Sequence, residues 1–244
     1  MLAGVFLSGC KSVNPYQLTE EIVVSPDTEL HRVAEDVWVH TTYSDVPDLG
    51  RRPANGLIVV DDREAMLIAL PQTDRQTRRL LEWIEQNWGI TTTTVIPTDF
   101  HDDATGGLSE AHHPGTVSRA LDNTVASARR QGLSVPPDLY AAQLELTCRK
   151  TEVIMTYLGT GDAIDHVVAW IPRHRVLFGG PLVRPLSATA LGSTRNRDLE
   201  AHPFMLQVLR QAYRKARVVV PGHGDSSGLD LIDHTLNLYQ QRSR

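Results

Sequence analysis

Thr98-Asp99-Phe100-His101-Asp102-Asp103-Ala104-Thr105-Gly106-Gly107 follows directly on the β-branched run Thr92 to Ile96. The run reads as a strand, which leaves an imidazole, three carboxylates and two glycines just past a strand end. In layered α/β folds such residues are free to converge on a ligand. Two further places share the pattern. Gly159-Thr160-Gly161-Asp162 follows the run Glu152 to Tyr157, and Pro221-Gly222-His223-Gly224-Asp225 follows Val218-Val219-Val220. The glycines allow tight turns and close approach of a ligand, and imidazoles with carboxylates suit a divalent cation. Each loop alone could equally be a capping and turn arrangement; the three in this order are more specific.

Outward from these loops, strand-like runs alternate with amphipathic segments. Strands are predicted at Val37 to Tyr43, Gly56 to Val60, Ala65 to Leu70 and Thr92 to Ile96. A second set is predicted at Leu144 to Cys148, Glu152 to Tyr157, His166 to Ile171, Val176 to Phe178 and Ala216 to Val220. Thr73-Asp74-Arg75-Gln76 reads as a capping box, with the stripe Leu80, Leu81, Ile84, Trp88 behind it and Gly89 as the stop. Further helices are predicted at Thr116 to Gln131, Asp198 to Lys215 and Leu229 to Gln241. The order gives two similar halves, each a sheet covered by helices: an α/β, four-layer αββα sandwich. Residues 20 to 244 read as one domain of two halves.

Composition narrows the function classes. The chain has 244 residues, 41% hydrophobic and 22% charged, with a net charge of −5, values that suit a globular core and not disorder. Arg51-Arg52, Arg78-Arg79 and Arg129-Arg130 are isolated pairs, so nucleic acid is not an expected partner. A small molecule is expected as partner and a monomer as the state. Of two cysteines, Cys148 ends an alternating strand-like run, and Cys10 closes Leu7-Ser8-Gly9-Cys10. That tetrapeptide resembles a bacterial lipobox, with residues 1 to 10 as a lipoprotein signal segment ending at a lipidated Cys10. The resemblance implies a periplasmic or outer-membrane-anchored lipoprotein, touching membrane only through its anchor. The apolar start is too short to span a bilayer and lacks the cationic opening of a signal peptide; an accidental match is the alternative.

At these residues the chain resembles the metallo-β-lactamase superfamily, in particular class B β-lactamases of the dizinc subclass. The resemblance runs from Val37-Trp38-Val39-His40-Thr41 through Asn55-Gly56-Leu57-Ile58-Val59 to the final helix. Gly106-Gly107, Phe178-Gly179-Gly180 and Val219-Val220-Pro221-Gly222-His223 fall at the family's intervals. It implies a first metal position at Asp99, His101 and Asp162, where the family has three histidines. It implies a second at Asp103, Pro181 and His223, where the family has aspartate, cysteine and histidine. It implies zinc as the cofactor; the two histidine-to-aspartate changes make the set harder, which favours Mn or Fe. Pro181 offers no side-chain donor, which leaves the second position one short of a catalytic zinc set.

Other positions follow from the same resemblance. Ala69 stands where the family has an aspartate that orients ligands. Arg184 stands where a lysine pairs with the substrate carboxylate, a task its fork suits, with a surface ion pair as the alternative. Ser193 replaces an asparagine that polarises the lactam carbonyl. The stretch Tyr43 to Asn55 sits where the family has a flap. His166, beside Asp165, and His112-His113 are further imidazoles that could restore metal binding. Asp99, Asp102, Asp103, Asp162 and Asp225 would repel one another if they converged unneutralised, so protons or a cation are expected among them. The expectation is a metal-dependent hydrolase of a lactam, amide or ester, with Asp103 orienting the attacking hydroxide and Arg184 holding a substrate carboxylate. The alternative is a non-catalytic envelope protein that binds a ligand in the same cleft.

Overall fold

Leu57, Ile58 and Val59 are all buried, yet they belong to two different cores. Leu57 and Val59 face a second sheet, whereas Ile58 faces helices, the period-two alternation of a strand covered on both sides. The structure, a computed structural model, describes residues 20–46, 50–112, 115–159, 165–192 and 199–242. In it β1 (Glu21–Ser25), β2 (Thr28–Ala34), β3 (Val37–Val46), β4 (Gly50–Asp61) and β5 (Glu64–Ile68) pair antiparallel, each with the next. After α1 (Asp74–Trp88), β6 (Thr91–Ile96) pairs parallel with β5. Two short helices, α2 (Asp102–Thr105) and α3 (Leu108–Ala111), lead to β7 (Val117–Leu121) and α4 (Asp122–Arg130), and β8 (Asp138–Tyr140) ends this eight-stranded sheet.

The second sheet has five strands: β9 (Gln143–Cys148), β10 (Thr151–Tyr157), β11 (Val167–Ile171), β12 (Val176–Gly180) and, after α5 (Ala201–Ala212), β13 (Val218–Pro221). The helix α6 (Asp230–Arg242) closes the chain. Met66, Ile68 and Ile96 meet Val153, Val167, Ala169, Phe178 and Val220 between the sheets. Leu80, Ile84 and Leu108 cover the outer face of the first sheet, and Leu206, Leu209, Leu231 and Ile232 cover Val168, Leu177 and Val219 of the second. The layers are therefore helix, sheet, sheet, helix, as the element order implied.

Local chemistry explains most boundaries. The Thr73 hydroxyl accepts from the Gln76 N–H at 3.3 Å, and Gly89 ends α1 in the left-handed region at φ 66°. The Gln76 amide does not reach back to the Thr73 backbone; it donates to the Tyr43 carbonyl at 2.8 Å and ties the helix to the β3–β4 hairpin. Two of three expectations are corrected. The helix expected over Thr116 to Gln131 is split into β7 and α4, because Val117 and Ser118 pair with Thr94 and Val95 on the open edge of β6, and backbone pairing overrides a weak helical preference. The stretch Tyr43 to Asn55, where the resemblance put a hairpin flap, is mostly paired hairpin, held through Asp45↔Arg51 and by the Arg51 guanidinium 4.4 Å from the Tyr43 ring centroid; Leu49 lies outside the described residues. His112 follows α3 and bonds Ser118 at 2.8 Å, so it is committed away from the strand-end loops.

One side chain joins the halves next to the His223 turn. Asn55 is 3% exposed. Its amide donates to the carbonyls of Pro221 at 2.9 Å and Gly224 at 2.7 Å, its backbone N–H donates to the Gly222 carbonyl at 2.9 Å, and its Oδ1 accepts from Thr41 at 2.9 Å. Asn55→Ala leaves three partners unmatched, two of them buried, and each buried group so left costs about 1–3 kcal/mol. Urea denaturation is expected to give a loss of at least about 2 kcal/mol, and a loss under about 0.5 kcal/mol, the scale of a surface change, contradicts the bridging role.

Candidate active site

The strand-end loops after β6 and β13 meet, with the turn after β12, at one end of the two sheets. A small cavity there is lined by Asn55, Ala69, Asp99, Asp103, Pro181 and Gly222, among others. Asp99 is its most buried charge, 1% exposed. Its Oδ1 accepts from the His101 backbone N–H and from the His101 ring Nδ1, both at 2.9 Å. Its Oδ2 faces His166 Nδ1 at 3.3 Å and the Thr98 hydroxyl at 3.4 Å. Burial alone would raise the Asp99 carboxyl, but the hydrogen bonds from His101 and His166 prevail and hold it well below the usual carboxylate range. The hydrogen bond to Asp99 in turn lifts His101 to about 9, against a smaller opposing effect of burial.

Asp103 and His223 form a second pair, with His223 Nε2 3.5 Å from Asp103 Oδ2. The His223 Nδ1–H donates to the Pro53 carbonyl at 2.6 Å, an acceptor only, which fixes the tautomer of the neutral ring and turns Nε2 toward Asp103. Burial and the Asp99 charge raise the Asp103 carboxyl, and His223 and His101 oppose them. Behind the loops, Asp165 is fully buried and neither carboxylate oxygen has a hydrogen-bond partner among the described residues. Burial first, then repulsion from Asp99, lifts it to about 6. Ala69, at φ 52°, turns its carbonyl to the buried His40, whose Nε2–H donates to it at 2.8 Å.

Of the residues singled out from sequence, Asp99, His101, Asp103 and His223 come together. Asp162, Ser193, His113 and Cys10 lie outside the described residues. Arg184 follows β12, its backbone N–H held by the Thr235 hydroxyl at 2.9 Å and its guanidinium close over Gly192. The expected crowd of aspartates is corrected: Asp102 and Asp225 stand exposed at the rim, and the repulsion left at Asp99 is relieved by imidazoles. His166 turns its ring to Asp99 at 3.3 Å and to the Gly179 carbonyl at 3.1 Å. Asn55 escaped the sequence reading as a site residue, and an asparagine beside a strand glycine gives no signal of a partner in the other half.

A resident zinc pair needs more donors than these residues supply. Among the described residues, no group of three or more His, Cys, Asp or Glu side chains is placed to hold a metal ion, whereas catalytic zinc takes three protein ligands. Pro181 provides none, and both Asp99 oxygens already face imidazole nitrogens. The described residues do not fit the dizinc centre that the resemblance implied.

Two sheets back to back between helices, with a polar cleft at the ends of their strands, define an αββα sandwich of hydrolase type. No family model matches the chain, but individual proteins do. It is 32% identical over 222 residues to a metallo-β-lactamase type 2 of Bacteroides fragilis, covering 91% of this chain and 89% of that protein. It is 29% identical over 211 residues to a metallo-β-lactamase type 2 of Pseudomonas aeruginosa, covering 86% and 83%. The solved metallo-β-lactamase from Pontibacter korlensis superposes with a TM-score of 0.83 at 33% identity, covering 87% of this chain and 99% of that one. With that identity over that length, the chain belongs to the metallo-β-lactamase family.

The Asp99–His101 pair has a pH signature. His101 is raised in the folded protein from 6.5 to about 9, so its contribution to stability is complete below about 6.5 and is lost as pH rises through about 9. The melting temperature is expected to fall between pH 7 and about 9, with a shallower fall in His101→Gln. Identical slopes for the two proteins would remove the pair as a source of stability.

Proposed function

We propose that this chain is a hydrolase of the metallo-β-lactamase family with an altered metal site, acting on small lactams, amides or esters that carry a carboxylate. Family membership supports the reaction class, and the Asp103–His223 pair in the cleft is the observation that carries the proposal. A divalent ion, zinc by resemblance and Mn or Fe by the hardness of the donors, would lower the pKa of water where a full ligand set exists. The described residues do not make that set, so the proton is assigned to the chain's own groups.

With Nδ1–H committed to Pro53, His223 presents the Nε2 lone pair next to Asp103. A water bound beside the pair loses its proton to Nε2 as its oxygen attacks the carbonyl carbon, and Asp103 orients the water and stabilises the imidazolium. The imidazolium then protonates the leaving nitrogen or oxygen as its bond to the carbonyl carbon breaks. Arg184 takes the substrate carboxylate in a bidentate grip. The test is hydrolysis of nitrocefin and p-nitrophenyl acetate, with chelator and with Zn, Mn or Fe added in turn. Chelator-resistant turnover that drops about 100-fold or more in His223→Ala is expected for a lost general base. Rates equal to those of an Asp103→Asn, His223→Ala double variant end the hydrolase reading, and turnover that needs an added metal replaces the Asp103–His223 assignment by a metal-dependent one.

The location proposed is the bacterial envelope, supported by Leu7-Ser8-Gly9-Cys10. Palmitate labelling in a bacterial host is expected for the wild type and absent in Cys10→Ser; equal labelling, or none in either, rejects the anchor.

A further inference from the structure

The end of the sandwich opposite the cleft gathers positive charge. β12 and β13 run parallel from Val176 and Val218 at that end to Gly180 and Pro221 at the cleft. The turn before β12 supplies Arg173 and Arg175, and the segment between α5 and β13 supplies Arg214, Lys215 and Arg217, all exposed. Backbone bonds hold the two segments side by side. The Arg217 N–H donates to the Arg175 carbonyl at 2.8 Å, and the Val218 N–H donates to the same oxygen at 3.2 Å. Arg175 sits at φ 55°, a conformation that glycine or asparagine takes more readily, so its guanidinium is presented at a backbone cost.

Most acidic groups at this end are engaged elsewhere. Asp36 lies 3.4 Å from His174 Nε2, and Arg149 lies 3.2 Å from Asp62 and 3.3 Å from Glu64. Asp61 accepts from the Lys150 backbone N–H at 2.9 Å and from the Thr151 hydroxyl at 3.0 Å, and feels Arg173 through charge alone. Glu35 and Glu152 stand exposed on a neighbouring turn and strand. Arg175, Arg214, Lys215 and Arg217 have no ion-pair partner among the described residues. A chain of net charge −5 therefore sets its unmatched cations on one face, the pattern that attracts a polyanionic surface. The chain leading from Cys10 arrives at the same end: the Arg32 N–H donates to the Glu20 carbonyl at 3.1 Å, beside the turn that carries Asp36. We propose that this basic face docks on the headgroups of an anionic phospholipid bilayer, with the cleft turned away from the membrane. Entry of the chain from Cys10 at this end favours lipid over nucleic acid as the partner. The inference deepens the envelope location proposed above, yet needs neither acylation of Cys10 nor hydrolysis.

The test sediments the full chain, as Cys10→Ser so that no acyl group contributes, with lipid vesicles at about pH 7 and low salt. The protein is expected to pellet with vesicles of equal phosphatidylglycerol and phosphatidylcholine and to stay in solution with phosphatidylcholine alone. Sodium chloride at about 0.5 M is expected to release it, because screening then cuts off attraction within a few ångströms. Arg173→Gln, Arg217→Gln is expected to lower the partition coefficient about 20-fold, at roughly fivefold per charge. Arg129→Gln, Arg130→Gln removes the same charge from the exposed end of α4 and is expected to change it less than about twofold. If the first double variant does not fold, Arg214→Gln, Lys215→Gln takes its place with the same expectation. No pelleting, equal pelleting with anionic and neutral vesicles, or equal loss in the two double variants overturns the proposal. So does retention of a short DNA duplex by a protein that leaves the vesicles alone. Palmitate labelling and nitrocefin hydrolysis are separate readouts, so failure of either earlier reading leaves the vesicle result standing.

Discussion

A carboxylate taken out of water costs several kcal/mol unless charge and hydrogen bonds surround it, and Asp99 is 1% exposed. The loop from Thr98 to His101 is folded around that constraint. The backbone turns so that the His101 N–H and ring both reach Oδ1, while Thr98 and His166 serve Oδ2. Because His166 belongs to the second sheet, neutralising Asp99 also docks one sheet on the other at the site end of the sandwich. Asn55 performs the complementary task from the first sheet, holding the carbonyls of the His223 turn. Between them these two buried polar side chains fix where His101, Asp103 and His223 stand, while the apolar core fixes only the layers.

The layers were legible because burial on both faces writes itself into sequence. Leu57 to Val59, Met66 to Ile68 and Val218 to Val220 are short, wholly apolar runs bounded by turn residues, the mark of strands covered on both sides. Segments whose fate is set by a distant partner were not legible. Val117 to Leu121 has enough helical character to extend α4, and only the open edge of β6 makes it a strand. The edge strands β1 and β8 carry exposed residues such as Val23 and Leu139, so they lack a clean apolar face. The candidate site was read to the same depth. The strand-end loops announced Asp99, His101, Asp103 and His223 through their glycines and polar clusters, but the partner of Asp99 lies 67 residues away, and no local pattern marks a histidine before a strand as a counter-ion.

The frame around the cleft is held by backbone and core. The turn after β12 keeps its geometry with Pro181 in place of a donor, because that geometry depends on Gly180 at positive φ and on the Gly222 N–H donating to the Gly180 carbonyl at 2.8 Å. Neither needs a side chain at 181. Ala69 makes the same point at the end of β5: its carbonyl, not a carboxylate, is what His40 holds. Burial pushes the His40 imidazole down to about 4, which keeps this contact neutral. A cleft secured in this way by backbone and core is consistent with 33% identity and a TM-score of 0.83 to the Pontibacter korlensis metallo-β-lactamase.

The two pairs in the cleft are coupled through charge, and the coupling has a direction. Asp99 raises Asp103, and His223 lowers it, so the ionisation of Asp103 depends on how completely Asp99 is neutralised. Two imidazoles on Asp99 reduce the field that Asp103 feels, and so oppose the rise that burial and the Asp99 charge impose on it. A single neutral partner on Asp99 would push Asp103 toward its protonated form, and a protonated Asp103 would spend its proton on the Nε2 lone pair that general-base chemistry requires. The buried Asp99 cluster thus bears on the charge of Asp103, the carboxylate that the proposed general-base step uses.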